Sequence, residues 1–136
     1  MGDVAFIALG SNLGRREAFL RQGRESIGRL PGCRLLAAST VEETAPLGGL
    51  AQPPYLNQMI AVETELPAAT LLAELQRIER EAGRSRSERW ASRTLDLDIV
   101  LFDELEIDEP GLRVPHPALA ERDFWRRELA ELRALL

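Results

Sequence analysis

The stretch RWASRTLDLDIVLF (Arg89–Phe102) ends as a buried strand should, in the compact apolar run Ile99, Val100, Leu101 and Phe102. Two aspartates, Asp96 and Asp98, stand at the mouth of that run, and Arg89 and Arg93 precede them. Side chains alternate faces along a strand. Asp96 and Asp98 therefore point one way, while Leu95, Leu97 and Ile99 point the other way, into a core. The two carboxylates project together, ~7 Å apart at a rise of roughly 3.3 Å per residue. Such a pair suits one divalent cation bridged by both, or two cations sharing them. The plain alternative is a solvated outer face of an edge strand, since D-x-D is short and common.

Working outward, VAFIALG (Val4–Gly10) is a second compact apolar run, read as a buried strand, with Asn12 placed to cap the helix after it. Ala18, Phe19, Ile27 and Leu30 form a helical stripe that Pro31 and Gly32 end. Residues 34–43 read as one strand and APLGGLAQPP (Ala45–Pro54) as a loop. Tyr55–Leu66 reads as the third strand. Pro67 opens a helix with Leu71, Leu72, Leu75 and Ile78 at helical spacing, and Gly83 closes it. Leu95–Phe102 is then the fourth strand of the core.

The resulting order is strand, helix, strand, strand, helix, strand. It predicts an α+β, ferredoxin-like βαββαβ core, with an antiparallel sheet and both helices on one face. After Asp103 the chain is irregular through Pro110, Pro115 and Pro117, and an amphipathic helix is expected from about Arg122 to Leu136. All of residues 1–136 is read as a single domain.

Composition narrows the chemistry by what is missing. All 17 basic residues other than His116 are arginine, so a P-loop lysine, a Schiff-base lysine and a Ser-Lys dyad are excluded. Cys33 is the only cysteine and His116 the only histidine, which excludes a Cys- or His-rich zinc site. A bound metal would take mostly oxygen ligands, as magnesium, manganese or calcium do. A net charge of −5 gives no electrostatic case for nucleic acid or an anionic membrane. No apolar run is long enough for a membrane span, and MGDVAFIALGSN is too short and acidic for a signal peptide. A cytoplasmic protein, more a monomer than an oligomer, is the expectation.

Against that acidic background, residues 77–93 hold six arginines (Arg77, Arg80, Arg84, Arg86, Arg89, Arg93) and three glutamates, a local excess of positive charge. The guanidinium fork binds phosphate oxygens in bidentate fashion. Gly83, Ser85, Ser87 and Ser92 give the stretch a loop composition, and Trp90 within it is an aromatic suited to covering a ligand. A carboxylate pair beside an arginine-rich loop is what a nucleoside triphosphate site needs.

RWASRTLDLDIV (Arg89–Val100) resembles the signature of the 6-hydroxymethyl-7,8-dihydropterin pyrophosphokinase family. ALGSNLG (Ala8–Gly14), TAPLGGLAQPPYLN (Thr44–Asn57), QRIEREAGR (Gln76–Arg84) and VPHP (Val114–Pro117) resemble its other blocks, in order. The resemblance implies transfer of the β,γ-pyrophosphoryl group of ATP to the pterin hydroxymethyl oxygen in folate biosynthesis, with release of AMP. It implies that Asp96 and Asp98 hold two magnesium ions, and that Arg84 and Arg93 stabilise the transferred phosphates. Arg86, Arg89 and Trp90 would belong to the same closing loop. Gln76, Glu79, Ile99, His116 and Arg122 would line the ATP site. Tyr55 and Phe124 would stack on the pterin, Asn57 would read its polar edge, and Thr44 and Leu47 would add backbone hydrogen bonds. The C-terminal FWRRELAELRALL is charged where the family tends to continue with an apolar, Pro-containing segment.

Two other readings compete. One is a ferredoxin-like binding module, regulatory or RNA-binding, with an incidental D-x-D; its RNA-binding version would call for strand aromatics and a basic sheet, and this chain is 5% aromatic and acidic. A different magnesium-dependent nucleotidyltransferase would use the same carboxylates but release pyrophosphate.

Overall fold

The computed structural model describes residues 2–45, 53–83 and 94–136. It is an α+β structure built on one antiparallel sheet. In chain order its elements are β1 (Asp3–Ser11), α1 (Arg16–Gly28), β2 (Cys33–Ala38), β3 (Glu42–Thr44), β4 (Tyr55–Thr64), α2 (Ala68–Glu81) and β5 (Asp96–Phe102). A hairpin of β6 (Ile107–Glu109) and β7 (Leu112–Val114) comes next, then a 3-10 turn at Pro117–Ala120 and α3 (Asp123–Leu135). The strands run in the order β2-β4-β1-β5, with the short β3 also pairing with β4. Among the described residues no helix is long and apolar enough to cross a membrane.

The sheet buries both faces, and this explains why β1 has no polar side until its end. Its alternate residues Ala5, Ile7 and Leu9 join Leu20, Ile27, Leu71, Leu75 and Ile78 in a core beneath α1 and α2. Phe6 and Ala8 join Met59, Ala61, Val100, Trp125, Leu129 and Leu132 in a second core, beneath α3. Helices α1 and α2 thus share one face, as expected, and the C-terminal helix takes the other.

Strict alternation would put Val100 and Phe102 together. Instead Ile7 pairs with Ile99 and Phe6 with Leu101, leaving Val100 as the extra residue of a bulge. The bulge turns Val100 and Leu101 toward α3 and Phe102 toward the other core.

Three expectations need correction. Residues 34–43 are not one strand. Ser39 breaks the run by bonding with Met59 through both its backbone N–H (2.8 Å to the Met59 carbonyl) and its hydroxyl (2.9 Å from the Met59 N–H). Asn12 does not cap α1, which begins at Arg16. Its buried amide instead donates to the Pro53 carbonyl at 3.2 Å, tying down the end of the 45–54 loop. The segment after Asp103 is not wholly irregular, because Gly111, at φ +78°, allows the tight turn between β6 and β7.

Candidate active site

Residues directly opposite each other in an antiparallel pair face the same side. Asn57 pairs with both Glu42 and Gly10, and Gly10 pairs with Asp96. Glu42, Asn57, Gly10 and Asp96 therefore form one row across four strands, on the α3 side of the sheet. In the next row Met59 pairs with Ala8, and Ala8 with Asp98. The two aspartates thus project on one face, with only a glycine and a methyl group beside them on β1. A Cβ on Gly10 would lie 3.5 Å from both Asn57 Oδ1 and the Tyr55 ring. Glycine at this position keeps the floor open between those two side chains and the carboxylates.

Asn57 is buried, and its amide donates to the Thr44 hydroxyl at 2.6 Å. The short β3–β4 pairing aligns Thr44 with Tyr55. Arg16 reaches over from α1 and donates to both the Pro54 carbonyl and Glu43 at 2.9 Å, holding the chain just before Tyr55. Phe124 arrives on the same side of the sheet from the start of α3, half-buried against the second core.

On the other flank, β5 is an edge strand, and its outer edge is partly covered. Glu79 of α2, only 5% exposed, accepts the Leu97 N–H at 2.7 Å. That bond braces the residue between the two aspartates. The family resemblance assigns Glu79 to the ATP site, and in the structure its carboxylate bonds the backbone of the strand that carries the aspartates. His116 bonds the Val100 carbonyl through its backbone N–H at 2.9 Å. Its Nδ1 accepts the Ala118 N–H at 3.0 Å, so a neutral ring carries its proton on Nε2. Nε2 lies 3.8 Å from Asp98 Oδ1, beyond hydrogen-bond reach. Burial holds the imidazole below its ordinary pKa, Asp98 pulls it up, and Arg122 pushes it down. The ring stands edge-on to Trp125 at 4.9 Å, and the Arg122 guanidinium lies 4.3 Å from the same indole.

Between α2, β5 and β7 lies a cavity of about 270 Å³, lined in part by Leu72, Ile99, Gly111, Leu112 and His116, with Asp98 at its rim. Gln76 is exposed one helical turn from Leu72. The structure therefore groups Gln76, Ile99, His116 and Arg122 around the β5 edge, and Thr44, Tyr55 and Asn57 on the other side of the aspartates, with Phe124 on the same sheet face against the second core. Leu47, Arg84, Arg86, Arg89, Trp90 and Arg93 lie outside the described residues. Sequence reasoning missed Gly10, Leu72, Leu112 and Trp125. Only the ALGSNLG block pointed at Gly10; the others read as ordinary apolar residues.

A family model described as 7,8-dihydro-6-hydroxymethylpterin-pyrophosphokinase (HPPK) matches residues 6–134. The chain belongs to this family. The 2-amino-4-hydroxy-6-hydroxymethyldihydropteridine pyrophosphokinase of Bacillus subtilis is an HPPK relative 42% identical over 132 residues, which cover 97% of this chain and 79% of the relative. The enzyme of the same description from Pseudomonas aeruginosa is 43% identical over 127 residues, covering 93% and 78%. Among solved structures, one described as HPPK-DHPS in complex with substrates superposes with a TM-score of 0.62 at 12% identity. The match spans 80% of this chain and 29% of that longer one, and it is a likeness of fold.

Proposed function

We infer that this chain transfers pyrophosphate from ATP to 6-hydroxymethyl-7,8-dihydropterin, giving AMP and the pterin diphosphate, in the manner of its family. The observation that carries this reading is a carboxylate pair on one sheet face, with a cavity reaching Asp98 at the β5 edge and the Asn57–Gly10 row beside Asp96. The row Asn57–Gly10–Asp96 puts a glycine between a polar amide and a carboxylate on one side. The β5-edge cavity, on the other side, is lined by apolar side chains together with Asp98, Arg113 and His116. A flat amide-edged ring suits such a row, and a nucleotide base such a cavity. We read the strand order as ferredoxin-like, and residues 1–136 as one pyrophosphokinase domain that works as a cytoplasmic monomer.

In this reading Thr44, Tyr55, Asn57 and Phe124 orient the pterin, with Leu47 supplying backbone contacts. Gln76, Ile99, His116 and Arg122 bind ATP, and His116 can donate its Nε2 proton to a phosphate oxygen. Asp96 and Asp98 fit magnesium, since both donors are oxygens and Gly10 and Ala8 leave space beside them. Two ions bound there would neutralise the triphosphate. Phosphoryl transfer depends mainly on such charge neutralisation and on in-line positioning. Glu79 acts through Leu97 by holding the aspartate strand in place.

The deciding experiment is an assay of the purified protein with ATP, magnesium and the reduced pterin alcohol. AMP and pterin diphosphate are expected. Release of inorganic pyrophosphate would indicate a nucleotidyltransferase, and no turnover would favour a binding module.

Two variants separate the halves of the site. Asn57→Ala should weaken pterin binding by ~1–3 kcal/mol, because it leaves a ligand edge unpaired. Phe124→Ala should weaken pterin but leave ATP affinity nearly unchanged. Equal loss of both ligands in calorimetric titration would make Phe124 merely structural. For the loop, Arg84→Ala and Arg93→Ala should slow the single-turnover rate more than they weaken either substrate, as for an interaction made mainly in the transition state. Weaker ATP binding at an unchanged single-turnover rate would reduce both arginines to electrostatic anchors. Arg86, Arg89 and Trp90 are assigned to the same closure over the substrates.

A further inference from the structure

Helix α3 reaches the edge of the sheet through polar groups as well as its apolar stripe. The backbone N–H and hydroxyl of Thr40 both donate to Glu131 Oε2, at 2.9 and 3.0 Å. The Arg127 guanidinium pairs with Glu42 of β3 at 3.3 Å. Between these contacts lies Glu128, only 2% exposed, with neither carboxylate oxygen hydrogen-bonded to any described residue. The group beside it is the carboxyl of Glu42.

An ionised carboxylate is costly to bury without a donor, whereas a protonated one has an O–H to give. Here Glu42 can accept it. Burial first, and then Glu42, pushes Glu128 up to about 9; Glu131 adds to the rise and Arg127 opposes it. Among the described residues those three are the charged groups that face Glu128, and β2 and β4 meet α3 with apolar residues such as Leu36, Met59 and Ala61.

The position of this pair matters more than its titration. Phe124 stands one turn before Glu128 on the same face of α3. Glu42 is the cross-strand neighbour of Asn57, whose amide holds Thr44. The contact therefore joins the helix wall that carries Phe124 to the sheet wall that carries Thr44, Tyr55 and Asn57.

We propose that Glu128 and Glu42 form a proton-sharing clasp that sets the spacing between the two walls of the pterin cleft, making Glu128 a positioning residue for the pterin. The proposal rests on the reading of the cleft given above. Loss of the shared proton would set two carboxylates face to face, and their repulsion would part the walls. The folded-state pKa lies above the ordinary value of 4.5. The clasp's contribution is therefore complete below that value and is lost as pH rises through about 9.

The test compares the parent with Glu128→Gln, which keeps the shape and a donor to Glu42 but cannot ionise. The Glu128 carboxyl is followed by carbon NMR from acid to alkaline pH, together with the backbone amides of Asn57 and Phe124. Titrations with the reduced pterin alcohol are run over the same range. The carboxyl should titrate near 9, and both amides should shift with the same midpoint in the parent but not in the variant. Above that midpoint the parent should lose pterin affinity about tenfold further per pH unit than the variant does. Ionisation of the pterin itself acts on both proteins alike.

A carboxyl that titrates near 4.5, or amides that ignore its titration, would overturn the clasp. Pterin affinities that fall in parallel would overturn its positioning role. If neither protein binds the pterin at neutral pH, the functional reading fails, and the amide titration alone still decides whether the clasp exists.

Discussion

Asp96→Ala and Asp98→Ala should each lower the rate of AMP formation by at least ~10³-fold, the scale of lost transition-state electrostatics, and leave the protein folded. Both carboxylates face the cleft, whereas Leu97 and Ile99 anchor the strand in the core beneath α1 and α2. Neither substitution removes a core side chain, and each relieves the mutual repulsion of two carboxylates. Thermal melts of the variants should match or exceed the parent's in the absence of metal. Turnover within tenfold of the parent in either variant would sink the assignment. Calcium should bind the parent yet support little turnover, because its coordination is looser than magnesium's.

Trp125→Ala should cost ~3–5 kcal/mol of stability, as large-to-small changes at buried aromatics do. The indole is 2% exposed and fills the core under α3, together with Phe6, Ala8, Met59 and Val100. It also touches three residues proposed for the site. His116 stands edge-on to it at 4.9 Å, Arg122 lies over it at 4.3 Å, and Phe124 meets it at 6.3 Å. Its loss should therefore weaken both ligands together, unlike Phe124→Ala. Trp125→Phe, which keeps most of the apolar volume, should restore much of the stability and separate packing from indole chemistry. Urea unfolding that shows a cost below ~1 kcal/mol would mean α3 is not seated on the sheet as described.

Much of this protein was legible in its sequence because the relevant physics is local. Alternation along a strand is a property of successive residues, so the shared face of Asp96 and Asp98 could be read before any pairing was known. Helical spacing marked Leu71, Leu75 and Ile78 as a buried stripe, and α2 buries those residues. The absence of lysine and the single cysteine and histidine limited the chemistry directly, and the ordered motif blocks indicated the family.

What only the tertiary structure decided depends on contacts between distant segments. The bulge at Val100 is a matter of register with β1, and neither strand encodes it alone. Nothing local in β1 says that Gly10 lies between Asn57 and Asp96, because that row is set by pairing across four strands. The brace from Glu79 to Leu97 joins residues 18 apart in the chain. The amphipathic C-terminal helix was evident from its periodicity, but its choice of the second sheet face was not. An apolar stripe specifies that a helix must bury one side, and only the complementary surface of Phe6, Met59 and Ala61 determines where. Glu128 shows the same division. In the sequence it is one more charge on a charged helix, and burial beside Glu42 makes it an acid that keeps its proton at neutral pH.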